Sequence, residues 1–165
     1  DRIVIGDAHE YLLQHYNEYD FIWSSPPCPT HSRARFGPAS SDHPVDHVYP
    51  DMTLYQEIIF LERVFSGDYV VENVISWYNP LITPQLVGKH YFWANFHIPK
   101  TDLPHEQHGA PISQLQTAKG FDLSDYELTK KQKRKILHNC IPPKLGLHIF
   151  KASLEQTQLT LEDML

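Results

Sequence analysis

With 165 residues, 41% of them hydrophobic and 12% aromatic, the chain suits one domain with a packed core, and no apolar run approaches the ~18 residues a membrane span needs. A formal charge of −6 argues against a uniformly basic nucleic-acid binder. Two distant cysteines, Cys28 and Cys140, argue against a disulfide framework, and no basic segment followed by an apolar one opens the chain as a signal peptide would, so a reducing cytoplasm is the expected compartment.

Taken in chain order, Ile3-Val4-Ile5 reads as a short buried strand ended by Gly6-Asp7. Residues 8–16 have helical spacing, with Leu12 and Leu13 expected to face inward, and Phe21 to Ser24 reads as the next strand. Strand, helix, strand with short links predicts a βαβ unit and parallel pairing. Residues 29–50 form a long irregular stretch rich in Pro, Ser, His and Asp, a length that in compact domains usually serves function. Leu54, Ile58, Leu61 and Val64 recur at helical spacing, with Asp51 or Thr53 available as a cap. Gly67-Asp68 then turns the chain into a buried strand, Tyr69-Val70-Val71, followed by Glu72-Asn73-Val74. Residues 91–98 read as a strand, 99–128 as polar and aperiodic, and 129–139 as a helix broken by Ile141-Pro142-Pro143. A further helix is expected from Leu145, and the tail after Ser153 is polar with scattered leucines.

The segment Ser24-Ser25-Pro26-Pro27-Cys28-Pro29 places a thiol on a stiff proline turn just past a strand's C-terminal end. In open α/β sheets that edge is where ligands and chemistry sit. The plainer alternative is a buried, inert cysteine. Glu72 follows the next predicted strand, so a parallel sheet would bring carboxyl and thiol to one edge. That pair has a specific use: a thiolate adds to C6 of an electron-poor pyrimidine while an acid supports the charge developing at N3. Arg33, Arg35 or a helix N-terminus is expected to lower the thiol pKa. Seven of the 14 Lys and Arg, namely Lys130, Lys131, Lys133, Arg134, Lys135, Lys144 and Lys151, lie in a stretch without Asp or Glu, which reads as a solvated helical face or as a surface for phosphate backbone. Asp42-His43 with Asp46-His47, and His105 with His108, have metal-compatible spacing, but without a cysteine partner no metal site is expected.

Ser25-Pro26-Pro27-Cys28 followed by Glu72-Asn73-Val74 resembles the C5-cytosine-specific DNA methyltransferases (Dcm-like), with Pro-Cys as the nucleophile motif and Glu-Asn-Val as the carboxylate motif that contacts the cytosine N3 and amino group. Gly6-Asp7-Ala8 resembles that family's Gly-Asp-Ile motif, Asn139-Cys140-Ile141-Pro142-Pro143 its late Asn-containing Pro-Pro motif, and residues 51–61 its helix before the Glu-Asn-Val strand. These occur in the family's order and span residues 6–150. The resemblance implies a Rossmann-like α/β fold for S-adenosylmethionine-dependent methyl transfer, incomplete and with a small recognition insertion. It implies a catalytic core over residues 1–96, a target-recognition region over 97–135 and a C-terminal segment, 136–165, returning to the core. Cys28 and Glu72 would be catalytic. Asp7, Ala8, Pro27, Asn139 and Cys140 would hold S-adenosylmethionine. Ser32, Arg33, Arg35, Asn73, Lys89 and His90 would contact substrate or DNA, with the cytosine flipped out of the duplex.

The chain departs from the family in four places. The opening Phe-x-Gly-x-Gly loop is absent, so a preceding segment or a second polypeptide is expected to supply it. In the expected Gln-x-Arg-x-Arg block only Lys89 and His90 stand in plausible Arg places, and Lys does not reproduce an Arg's bidentate grip. His138 precedes Asn139 where Gly is usual, and the recognition region is short. The implied partner is double-stranded DNA, in a cytoplasmic, bacterial or phage-encoded setting such as restriction-modification. Two other functions fit the same residues: a non-catalytic nucleic-acid-binding remnant or subunit that needs a partner chain, and a related pyrimidine-C5-modifying enzyme that acts on RNA.

Overall fold

The computed structural model describes residues 2–33, 48–103 and 109–162. Arg35 and the histidines of the Asp-His and His105/His108 pairs lie outside the described residues. The chain divides into two compact units, residues 1–97 and 98–165. The expected boundary at 135 falls inside a helix.

The first unit is mixed α/β. Helix α1 (Ala8–His15) starts at Asp7, whose Oδ1 accepts from the backbone N–H of His9 and Glu10 at 2.9 and 3.0 Å. A 3₁₀ turn (Tyr16–Glu18) leads to strand β1 (Phe21–Ser24). Helix α2 (Thr53–Val64) follows, with Asp51 Oδ1 accepting from Thr53 N at 3.0 Å. Strand β2 is Asp68–Val74, so Glu72 and Asn73 lie within the strand rather than beyond it. Strands β3 (Gln85–Val87) and β4 (His90–Ala94) form a hairpin with a two-residue turn, Gly88-Lys89, in which Gly88 has φ +61°.

Among the described residues the sheet has four strands in the order β1-β2-β4-β3. β1 and β2 are parallel, joined through α2, with Phe21 opposite Asp68 and Ser24 opposite Val71. β4 is antiparallel to β2 and to β3. This is compatible with a Rossmann-like fold, in which a mostly parallel sheet can carry antiparallel edge strands.

The core lies between α2 and one face of the sheet. Leu54, Tyr55, Ile58 and Leu61 of α2 pack on Ile22, Tyr69, Val71 and Trp93. Burying each such side chain contributes about 1.5–3 kcal/mol. Side chains alternate along β2, so Val70 and Glu72 point to the opposite face. Leu12 of α1 and Tyr16 of the 3₁₀ turn join the same core at i, i+4 spacing, and Leu13 is exposed. On α2, Phe65 takes the inward place after Leu61 and Val64 is exposed.

The expected strand Ile3-Val4-Ile5 does not form: these residues have no strand partner among the described residues, and Ile3 and Ile5 are 91% and 98% exposed. The expected opening βαβ unit is therefore absent, and the parallel crossover belongs to β1-α2-β2. β3 and the second unit's first helix went unpredicted, and the sheet is mixed where parallel pairing was expected.

In the second unit, helices α3 (Ile112–Lys119) and α4 (Lys130–Asn139) pack around Ala110, Leu115, Leu123 and Leu137. Gly120 ends α3 at φ +72°, the left-handed conformation that glycine tolerates. Thr129 and Gln132 form a reciprocal capping box at the start of α4. Helix α5 runs from Pro143 to Glu162, with proline at its first position. No described helix is long and apolar enough to cross a membrane.

Candidate active site

The turn after β1 is built by its own backbone and by the end of β2. The carbonyl of Cys28 accepts from His31 N and Ser32 N, both at 3.0 Å, which tightens the chain behind the prolines. Asn73 Nδ2 donates to the Pro26 carbonyl at 3.0 Å, and Asn73 Oδ1 accepts from Val74 N at 3.0 Å. Asn73 is buried, so this amide ties the Glu-Asn-Val strand end directly to the Pro-Pro-Cys turn. Two further contacts hold the turn's entrance: Trp23 Nε1 donates to Ser25 Oγ at 3.1 Å, and Ser24 Oγ donates to Glu57 Oε1.

Beyond the turn, residues 30–33 run beside residues 76–78. Ser32 and Ser76 form an isolated antiparallel bridge. Trp77 N donates to the His31 carbonyl at 3.1 Å, Trp77 Nε1 to the Thr30 carbonyl at 2.9 Å, and Arg33 Nε to the Ser76 carbonyl at 2.8 Å. His31 is 1% exposed, with Nδ1 2.7 Å from Tyr78 Oη. Tyr78 Oη also accepts from Tyr55 Oη at 3.2 Å, so the three side chains form one hydrogen-bonded chain. Burial lowers the His31 pKa, with Asp51 opposing, and burial and the Tyr55 hydroxyl push Tyr78 up.

Cys28 follows β1 and Glu72 lies near the C-terminal end of its parallel neighbour β2. Glu72 is 8% exposed, and its negative charge is one of the causes that raise the Cys28 pKa. The larger cause is burial of the half-buried thiol; a hydrogen bond from Cys28's own backbone works the other way. The thiol pKa is thus raised, where arginines or a helix N-terminus were expected to lower it. Arg33 is not among the causes that act on the thiol, and its Nε donates to the Ser76 carbonyl. Glu72 Oε1 lies 2.6 Å from His90 Nδ1.

The remaining expected residues distribute as follows. Asp7, Ala8 and Pro27 line one cleft of about 570 Å³, together with Trp23, Ser24 and Glu57. Asp7 has a structural task there as well, since its Oδ1 caps α1. Ser32 stands at the bridge to Ser76 and Arg33 is exposed beside it. Lys89 is exposed in the β3–β4 turn, while His90 reaches Glu72. Asn139 and Cys140 belong to the second unit, where they end and cap α4; the Cys140 carbonyl accepts from the buried Lys119 Nζ and the thiol points to the Ile136 carbonyl at 3.2 Å. Lys130, Lys131 and Lys135 are exposed on α4.

Sequence reasoning missed Glu57, which is 6% exposed on the cleft-facing side of α2. A signal was present: Glu57 falls within the apolar arc of Leu54, Ile58 and Leu61, where a solvated carboxylate does not belong. The His31–Tyr78–Tyr55 chain had none, because its members lie 47 and 23 positions apart. Among the described residues no group of three or more His, Cys, Asp and Glu is placed to hold a metal. No protein-family model, curated protein or solved structure matches the chain.

Proposed function

We propose that this chain carries the catalytic centre of a C5-cytosine DNA methyltransferase. The observation that supports this best is the Asn73–Pro26 hydrogen bond, which ties the Glu72-Asn73 end of β2 to the Cys28 turn after its parallel neighbour β1. Cys28 Sγ adds to C6 of the flipped-out cytosine. Glu72 faces N3 and supports the charge that arrives there, an acid contribution of typically ~10²–10⁴-fold. The adduct leaves C5 nucleophilic. S-adenosylmethionine, when bound, supplies an electrophilic methyl group.

The cleft beside the turn fits such a cofactor. At about 570 Å³ it lies within the ~300–1,000 Å³ of small-molecule sites, and it combines the Trp23, Phe21 and Leu12 side chains with the carboxylates of Asp7 and Glu57. Asp7, Ala8 and Pro27 would hold the cofactor. The raised thiol pKa means that Cys28 is largely protonated before substrate arrives, so the substrate complex must favour the thiolate.

The test is methyl transfer by the full-length protein from labelled S-adenosylmethionine to duplex DNA, with RNA of the same sequence in parallel. The label is expected at cytosine C5 in DNA and is expected to be lost in Cys28→Ala. Transfer that survives Cys28→Ala rejects the role of the thiol, absence of transfer to either polymer rejects the activity, and labelling of RNA alone redirects it to an RNA-modifying enzyme.

A further inference from the structure

We propose that His90 is the positioning residue of Glu72, and that the two side chains together hold the one proton that N3 of the pyrimidine takes up when Cys28 adds at C6. The inference rests on the methyl-transfer reading above. Its ground is a contact that no motif announces: His90 Nδ1 and Glu72 Oε1 are 2.6 Å apart, with side chains 25% and 10% exposed. The register of the antiparallel pair explains the meeting. Phe92 stands directly opposite Glu72, and His90, two residues earlier on β4, shares its face and is the diagonal neighbour that long side chains reach. Phe92 is fully buried, and its ring centroid lies 6.3 Å from that of His90, so the imidazole neighbours both an aromatic ring and a carboxylate.

Among the described residues, Cys28 in the turn after β1 feels the charge of Glu72, and His90 of β4 is in contact with it. Helix α2 covers the other face of β2, where Glu57 takes the Ser24 hydroxyl and Glu62 acts on Tyr69.

At this distance a single hydrogen bridges the ring nitrogen and the carboxyl oxygen. A carboxyl alone typically releases its proton near ~4.3 and an imidazole near ~6.5, so a histidine partner keeps a proton at the site to higher pH than a carboxyl would by itself. When sulfur adds, the S–C6 bond forms and the C5=C6 π pair moves to C4–C5. The C4=N3 pair moves onto N3, and N3 takes the proton from Glu72. The pair is left as carboxylate and neutral imidazole, and a proton from water restores it. An arginine in this place would hold the carboxylate by charge but would release no proton near neutrality.

The rate requires the thiolate and the proton-bearing pair together. A rate that needs a thiolate and a proton-bearing acid together is level between the two ionisations when the acid ionises first, and that plateau falls as the two move apart. His90→Asn keeps a hydrogen-bond donor in the place of Nδ1 but holds no titrating proton. In the full-length protein its methyl-transfer profile should show a plateau about a hundredfold lower and an acid-side corner about two pH units lower, from the gap between carboxyl and imidazole. A lowered plateau with an unmoved corner shows a clamp only and overturns the proposal, as does an unchanged profile. A second readout needs no activity: by nitrogen-edited NMR the hydrogen-bonded Nδ1–H of His90 should be present in the wild type and lost in Glu72→Ala while circular dichroism is retained. Its persistence in Glu72→Ala overturns the pairing. An intact His90 signal in a wild-type protein that transfers no methyl group instead counts against the methyl-transfer reading.

Discussion

Two regions of this molecule concentrate its chemistry, and they are held in different ways. The turn carrying Cys28 is laced to the end of β2 by the Asn73 amide and to residues 76–78 by Trp77, Arg33 and the His31–Tyr78 contact. Helix α4 has its capping box and one fully buried anchor, Leu137, and sends Lys130, Lys131 and Lys135 into solvent. Its cations repeat at i, i+3 and i, i+4, and they crowd the N-terminal half, where the helix dipole is also positive. The helix therefore carries repulsion that a polyanion would relieve. The first arrangement fixes atoms relative to one another; the second fixes only charge, and on the reading proposed above that charge would meet a phosphate backbone.

Substitutions at the turn should cost the most. Cys28→Ala removes the atom that forms the bond, and methyl transfer should fall about 10⁴-fold or more, measured in single turnover. Glu72→Gln should lower the same rate by about 10²–10⁴-fold. It should also bring the pH midpoint of Cys28 alkylation down, because the Glu72 charge is one cause of the raised thiol pKa. The sign is fixed: an anion beside a thiol disfavours the thiolate, so removing it increases reactivity at a given pH. In the wild type that midpoint should lie above that of a free cysteine, since burial acts in the same direction. Asn73→Ala leaves the buried Pro26 carbonyl without its donor and should cost about 1–3 kcal/mol in denaturant unfolding. The smallest effects belong to α4. Replacing Lys130, Lys131 and Lys135 together by Gln should raise stability by a few tenths of a kcal/mol. If α4 meets DNA, the same change should flatten the salt dependence of duplex binding by about 0.9 in log–log slope for each lysine that contacts phosphate. An unaltered slope would leave α4 as a plain solvated face and end the contrast.

The sequence announced the parallel pair better than it announced the site's neighbours. Ile3-Val4-Ile5 and Tyr69-Val70-Val71 look alike as apolar triplets, yet Ile3 is 91% exposed and Val70 is fully buried. Apolar character selects a residue for burial only when backbone partners are available, and Val70 has Trp23 on one side and Ala94 on the other. The Cys28 turn was legible because prolines and a strand edge constrain it locally. Glu72 was legible through the order of the strands. The His90 contact was not, because it depends on the antiparallel return of β4, and a histidine before an aromatic run gives no sign of which carboxylate it will meet. The thiol pKa was misjudged for a related reason: charge is visible in sequence, whereas desolvation is a property of the folded surroundings.

The claim at the centre of this account is that sulfur and carboxyl act on a single nucleobase. The direct measurement is the intact mass of the full-length protein after incubation with S-adenosylmethionine and duplex DNA containing 5-fluorocytosine, followed by peptide mapping. A covalent nucleotide adduct on Cys28, formed slowly in Glu72→Gln and not at all in Cys28→Ala, is the expected outcome. A wild-type protein that stays unmodified, or an adduct mapped to any other residue, contradicts it.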